Sequence, residues 1–147
     1  MTGALVLLGV LVASSLVGLG WQRRSGVLRV SRRPSPVTPW APLGVTLGEH
    51  ATLVQFSSAF CQPCRATRRV LMEVADLIPG VGYVEIDAEL HLDAVRALGV
   101  LKTPTTFVLD REGHVVRRAA GQPRKADVIA AVGLAMPPAE HPAAPGT

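Results

Sequence analysis

Cysteine is nearly absent from this chain: two of its 147 residues carry a thiol, Cys61 and Cys64. A structural zinc site needs four ligands. No second cysteine pair exists, and His50, His91, His114 and His141 are scattered without ligand spacing, so no metal site is expected. Aromatic residues are also scarce, at 4% of a chain that is 48% hydrophobic. The length still allows one domain of ordinary size with a sizeable core. No internal repeat is visible. From Val45 to Leu134 the chain has no excess of either charge, with ten Lys/Arg against ten Asp/Glu. That neutrality excludes a basic nucleic-acid surface. The formal net charge of +4 comes from Arg23, Arg24, Arg29, Arg32 and Arg33, less Glu140.

Charge is missing altogether from Thr2 to Gly20, a run of Leu, Val, Ala and Gly. About 20 such residues in a helix span a hydrocarbon layer, which predicts a single-pass transmembrane anchor over residues 1–21. A cleaved signal peptide is the alternative, but no basic residue precedes the run. The arginines follow it, and the positive-inside rule puts that side in the cytoplasm. The expected localisation is therefore the cell membrane, with membrane lipid as a partner and the globular part in the cytoplasm; an outward-facing domain is the alternative. The arginines suit anionic headgroups. Residues 22–44, with Pro34, Pro36, Pro39 and Pro42, read as a basic, semi-rigid linker. Residues 136–147 read as a disordered Pro/Ala tail. The folded domain is expected over 45–135.

The two cysteines stand in Phe60-Cys61-Gln62-Pro63-Cys64-Arg65. The apolar run Ala51–Ser57 before them has strand composition, and nearly all of it is apolar, as in a strand covered on both faces. From about Cys61 to Leu77 the pattern is helical. Ala66, Val70, Leu71, Val74, Leu77 and Ile78 face inward, and Arg65, Arg68, Arg69, Glu73 and Asp76 face outward. Cys61 thus falls near a helix N-terminus, where unpaired N–H groups and the helix dipole stabilise a thiolate. Cys64 lies one turn on, within reach of Cys61, and Pro63 sits where a missing N–H costs little. Cys61 can attack a disulfide and Cys64 can resolve the mixed disulfide. Two plainer readings stand beside this one: half of a zinc site, and a structural disulfide. The second would close so short a loop that it constrains little of the unfolded chain.

Further along, Val81–Asp87 reads as a strand and Glu89–Leu98 as a short helix closed by Gly99. Thr105–Asp110 and Val115–Ala119 read as a hairpin, and Arg124–Ala135 as a last helix with Val128, Ile129 and Val132 inward. A short strand is expected around Val27–Val37.

This order resembles the thioredoxin family over about Val45 to Leu134. The resemblance rests on Phe60–Arg65, Ile86-Asp87, Gly99-Val100 followed by Thr103-Pro104-Thr105, Asp110 with Gly113, and Gly121. It implies an α/β, thioredoxin-like fold: a central mixed β-sheet flanked by helices, here with the N-terminal transmembrane helix added. It implies a thiol–disulfide oxidoreductase with Cys61 as nucleophile and Cys64 as resolving thiol, and with no cofactor beyond that redox pair. Pro104 would follow a cis peptide bond, exposing the Thr103 backbone to an extended substrate. Phe60, Pro63, Thr103, Pro104 and Gly121 would form the substrate surface. The buried aspartate of the family corresponds to Gln55, which cannot act as a base near neutral pH. Its neighbouring lysine corresponds to Tyr83. Gln55 and Glu85 are the candidates for proton handling. Expected partners are protein or small-molecule disulfides and a thiol or disulfide electron donor. Two other functions fit the same residues: a redox-regulated binding module, and an outward-facing envelope reductant serving cytochrome maturation or disulfide control.

Overall fold

The computed structural model describes residues 2–24, 26–30 and 40–136. Residues 31–39 of the proline-rich linker, with Arg32, Arg33, Pro34, Pro36 and Pro39, and the tail from 137 onward lie outside the described residues. In chain order the elements are α1 (Thr2–Arg24), β1 (Arg29–Val30), a 3₁₀ turn (Ala41–Leu43), β2 (Ala51–Ser57), α2 (Gln62–Leu77), β3 (Val81–Asp87), α3 (Leu92–Ala97), β4 (Thr105–Asp110), β5 (Val115–Ala120) and α4 (Lys125–Ala135).

The five strands form one mixed sheet in the order β1-β5-β4-β2-β3. β2 runs parallel to β3, through the α2 crossover, and antiparallel to β4. β5 is antiparallel to β4 and to β1. All seven residues of β2 are buried, because helices cover both faces of the sheet. Strand alternation divides its side chains between two cores. Val54 and Phe56 pack with Ile86, Phe107, Leu109 and the α3 side. Leu53 packs with Leu71 and Val74 of α2 and with Val128 and Val132 of α4. Gln55 alternates with Leu53 onto this second face, directly under α2. The inward stripe of α2 is Cys64, Thr67, Leu71 and Val74, while Leu77 is exposed.

Trp40 lies in the stretch read from sequence as linker, yet it is buried. Its indole Nε1 donates to the Gly113 carbonyl at 2.9 Å, and its ring meets Phe107 edge-on. The segment before β2 is thereby fastened to the β4–β5 turn, and Arg29–Val30 adds two residues of strand beside β5.

The membrane reading is corrected. Among the described residues no helix is long and apolar enough to cross a membrane. Gly9, Ser14, Ser15 and Gly18 dilute the apolar character of α1. This overturns the single-pass anchor over residues 1–21 and the cell-membrane localisation that rested on it, and it leaves contact with lipid without support.

Candidate active site

β2 ends at Ser57, and a short loop carries the chain to Cys61, the N-cap of α2. Cys61 and Cys64 are joined in a disulfide, so neither sulfur is a zinc ligand. The Cys64 N–H donates to Cys61 Sγ at 3.2 Å. The first turn of the helix therefore aims a backbone dipole at the outer sulfur. Pro63 occupies the start of the helix, where no N–H is needed. Cys64 is buried and Cys61 is partly exposed. Phe60 projects fully into solvent beside them.

Behind the disulfide lies a polar layer. The Gln55 amide is completely buried; its Nε2 donates to the Cys64 carbonyl at 3.0 Å, and its Oε1 accepts from the Tyr83 hydroxyl at 3.2 Å. Gln55 thus holds the backbone at Cys64 rather than either sulfur. Burial, and next the charge of Glu85, push the Tyr83 phenol up to about 12. Thr67 and Thr106 bring further hydroxyls into the buried face, each without a hydrogen-bond partner among the described residues. None of these groups takes a proton near neutral pH. Carboxylates lie to one side, where Glu85 and Asp87 line an open cleft of about 410 Å³ together with Cys61, Cys64 and Arg68. Arg68 pairs with Glu85 at 2.5 Å. That hydrogen bond and the carboxylate charge hold the guanidinium above its ordinary range.

A second groove, of about 600 Å³, brings together Pro63, Thr103, Pro104 and Gly121. The Thr103–Pro104 bond is cis. The Pro104 carbonyl accepts from the Gly121 N–H at 2.7 Å, and Gly121 turns the chain at φ +99°, a conformation that favours glycine. Ser58 and Thr103 share a hydrogen bond of 2.9 Å between their hydroxyls, which links the cysteine loop to the Pro104 loop. Four of the expected substrate residues therefore line one groove. Phe60 lines neither cleft and stands as an exposed flank.

Several contacts have no counterpart in the sequence reading. Arg68 reads there only as part of a wet helix face, and Ser58 has no assignment. Arg118 donates to the Leu98 and Gly99 carbonyls at 2.8 and 2.5 Å and lies over the Phe107 ring. It thereby braces the chain just ahead of Thr103. Burial lowers its guanidinium below the ordinary range. One signal was available: Gln55 and Glu85 are register partners, so their side chains share the α2 face. The remaining cluster of metal-type ligands among the described residues, Asp110, Glu112 and His114, closes the β4–β5 turn, with Asp110 Oδ1 accepting the Glu112 and His114 N–H groups.

Comparison with known proteins gives a consistent result. The family model described as Thioredoxin matches residues 45–133. A protein of Pyricularia oryzae named Thioredoxin-2 is 33% identical over 69 residues, 47% of this chain and 40% of its own length. Thioredoxin H2 of Arabidopsis thaliana is 32% identical over 47% of this chain and 51% of its own length. The chain thus spans about half the length of these curated relatives. Among solved structures, a mutant thioredoxin from Halobacterium salinarum NRC-1 superposes with a TM-score of 0.55 at 18% identity, over 60% of this chain and 77% of that one. The thioredoxin of Fasciola hepatica gives 0.52 at 20% identity, over 60% of this chain and 83% of that one. Both show a shared fold.

Proposed function

Because the chain belongs to the thioredoxin family, we propose that it is a thiol–disulfide oxidoreductase working through Cys61 and Cys64. The observation that carries this reading is the Cys61–Cys64 disulfide at the start of α2, with a backbone N–H aimed at the outer sulfur.

In the reduced protein the Cys61 thiolate attacks one sulfur of a substrate disulfide. The substrate S–S bond breaks, a Cys61–substrate disulfide forms, and one substrate thiolate leaves and takes a proton from water. Cys64 then loses its proton and attacks Cys61 Sγ, releasing the second substrate thiolate. Two electrons pass to the substrate, and the pair ends as the disulfide seen in the structure. A dithiol donor returns the electrons by the reverse exchange. Gln55 positions the Cys64 backbone and takes no proton. Glu85, paired with Arg68 in the cleft that Cys64 lines, is the acceptor for the Cys64 proton, directly or through water. Substrates are protein or peptide disulfides, laid as extended segments along Thr103 and Pro104, with Phe60 at the rim.

The test uses Cys64→Ser and Cys61→Ser variants offered a peptide disulfide and run on non-reducing gels. Cys64→Ser should accumulate a mixed disulfide through Cys61, and Cys61→Ser should accumulate none. Equal trapping by both variants refutes the assignment of roles.

A further inference from the structure

We infer that the groove beside Pro104 selects substrate segments carrying an acidic side chain next to their disulfide cysteine; this rests on the exchange activity proposed above. The charged residues lining the groove are Lys102, Arg124 and Lys125, and no carboxylate lines it. These cations are not equivalent. The Lys125 ammonium is bonded to Glu73, so its charge is met locally. Arg124 is exposed and has no ion pair among the described residues. It is also the N-cap residue of α4, so the positive end of that helix dipole opens on the same spot. Asp127, the acid of the first turn of α4, does not line this groove; it lines an adjoining cavity that Arg124 also borders, and it makes no ion pair with Arg124.

The walls nearer the disulfide are different in kind. Pro63, Val70 and Pro104 are apolar, and Thr103 lines the groove beside them just ahead of β4. A segment docked there by its backbone passes from an apolar wall towards an unmatched guanidinium. A carboxylate on the segment completes the ion pair that Arg124 lacks. A lysine at the same place meets like charge with no acid in the lining to offset it. Charge complementarity of this sort acts mainly on encounter rate and register and weakens with salt.

The test uses the full-length reduced protein and three disulfide peptides identical except for Glu, Gln or Lys beside the cysteine. Second-order rates are measured at low salt and at high salt. The Glu peptide should react about 3- to 10-fold faster than the Gln peptide, with the Lys peptide slowest. The spread should shrink towards unity at about 0.5 M salt. Arg124→Glu should reverse the order of the Glu and Lys peptides, and the milder Arg124→Gln should flatten it, which covers any folding defect in the reversed variant. Equal rates for all three peptides in the wild type, or an order unchanged in both Arg124 variants, overturn the charge selection while leaving the exchange activity standing. Failure of every peptide to react overturns the exchange activity, and the charge selection with it.

Discussion

Replacing Gln55 by glutamate tests the polar layer behind the disulfide with almost no change in shape. The wild-type amide is fully buried, donating to the Cys64 carbonyl and accepting from the Tyr83 hydroxyl. A protonated glutamate keeps both bonds, since its O–H replaces the amide N–H and its carbonyl oxygen replaces Oε1. An ionised glutamate keeps only the bond from Tyr83. It then points a bare negative oxygen at a carbonyl oxygen, out of water. Both effects raise the folded-state pKa of the new acid, by about 3 units or more for a fully buried group. Arg68 offsets little, because it is already paired with Glu85.

The sign follows from proton binding. A folded pKa raised above the unfolded value of about 4.3 means that the native state holds the proton longer. Gln55→Glu should therefore match the wild type near pH 4 and lose stability as pH rises above that value. The loss is about 1.4 kcal/mol for each pH unit up to the folded pKa, or about 3–4 kcal/mol by pH 7. Urea titrations of the oxidised proteins from pH 4 to 7 would measure it. A stability difference that does not change with pH refutes the reasoning. If flat and near zero, the site is wet; if flat and large, the two hydrogen bonds fail in the protonated form. The same carboxylate gives Cys64 a base, so resolution of the mixed disulfide should speed up about tenfold or more where the geometry is right.

Two further outcomes are expected. Arg118→Met removes the donors to the Leu98 and Gly99 carbonyls and the contact over Phe107; it should cost about 1–2 kcal/mol and raise amide exchange from Leu98 to Thr103, measured by melting and by hydrogen exchange. Tyr83 has a folded pKa pushed from 10.0 to about 12, so the neutral phenol is favoured in the fold. Stability should hold below pH 10 and weaken as pH rises from there through 12; denaturant titrations in that range should show the loss in the wild type and not in Tyr83→Phe.

Legibility varies with the kind of interaction. Ala51–Ser57, Val81–Asp87 and Thr105–Asp110 stand where their apolar runs predict, because a strand between two layers carries its own composition signal. The helix after Cys61 is equally plain, with Cys61 as its cap rather than its first residue. α3 is shorter than the expected Glu89–Leu98, because Asp87 Oδ1 accepts the Glu89 N–H and bends the chain ahead of Leu92. A side chain bonding to nearby backbone leaves no periodic trace. Trp40 is invisible for a related reason: its partner Gly113 lies 73 residues away. In the site, the cysteine pair and Pro104 can be read from order and spacing. The chain of contacts from Arg68 through Glu85, and from Tyr83 through Gln55 to the Cys64 backbone, cannot. It depends on the register of β2 against β3 and on side chains from α2 reaching across them. The apolar run at the start of the chain misleads, since composition alone does not make a spanning helix.

The position of β3 has a consequence for how copies of this molecule meet. β3 is the outermost strand on its side of the sheet, so among the described residues one row of its backbone donors and acceptors has no strand beside it. Such a row is a ready template for another chain, and seven residues are enough to form a zipper. Glu85 and Asp87 stand two apart at the end of that strand, on one face. An antiparallel pairing centred on either acid sets that carboxylate opposite its own copy, and one centred between them sets Glu85 opposite Asp87, so like charges face each other and disfavour the ladder. Arg68 neutralises Glu85 from within its own molecule and leaves Asp87 to repel. The acids that border the disulfide cleft thus also guard the sheet against self-association, and a variant that removes them to slow the chemistry opens the edge as well.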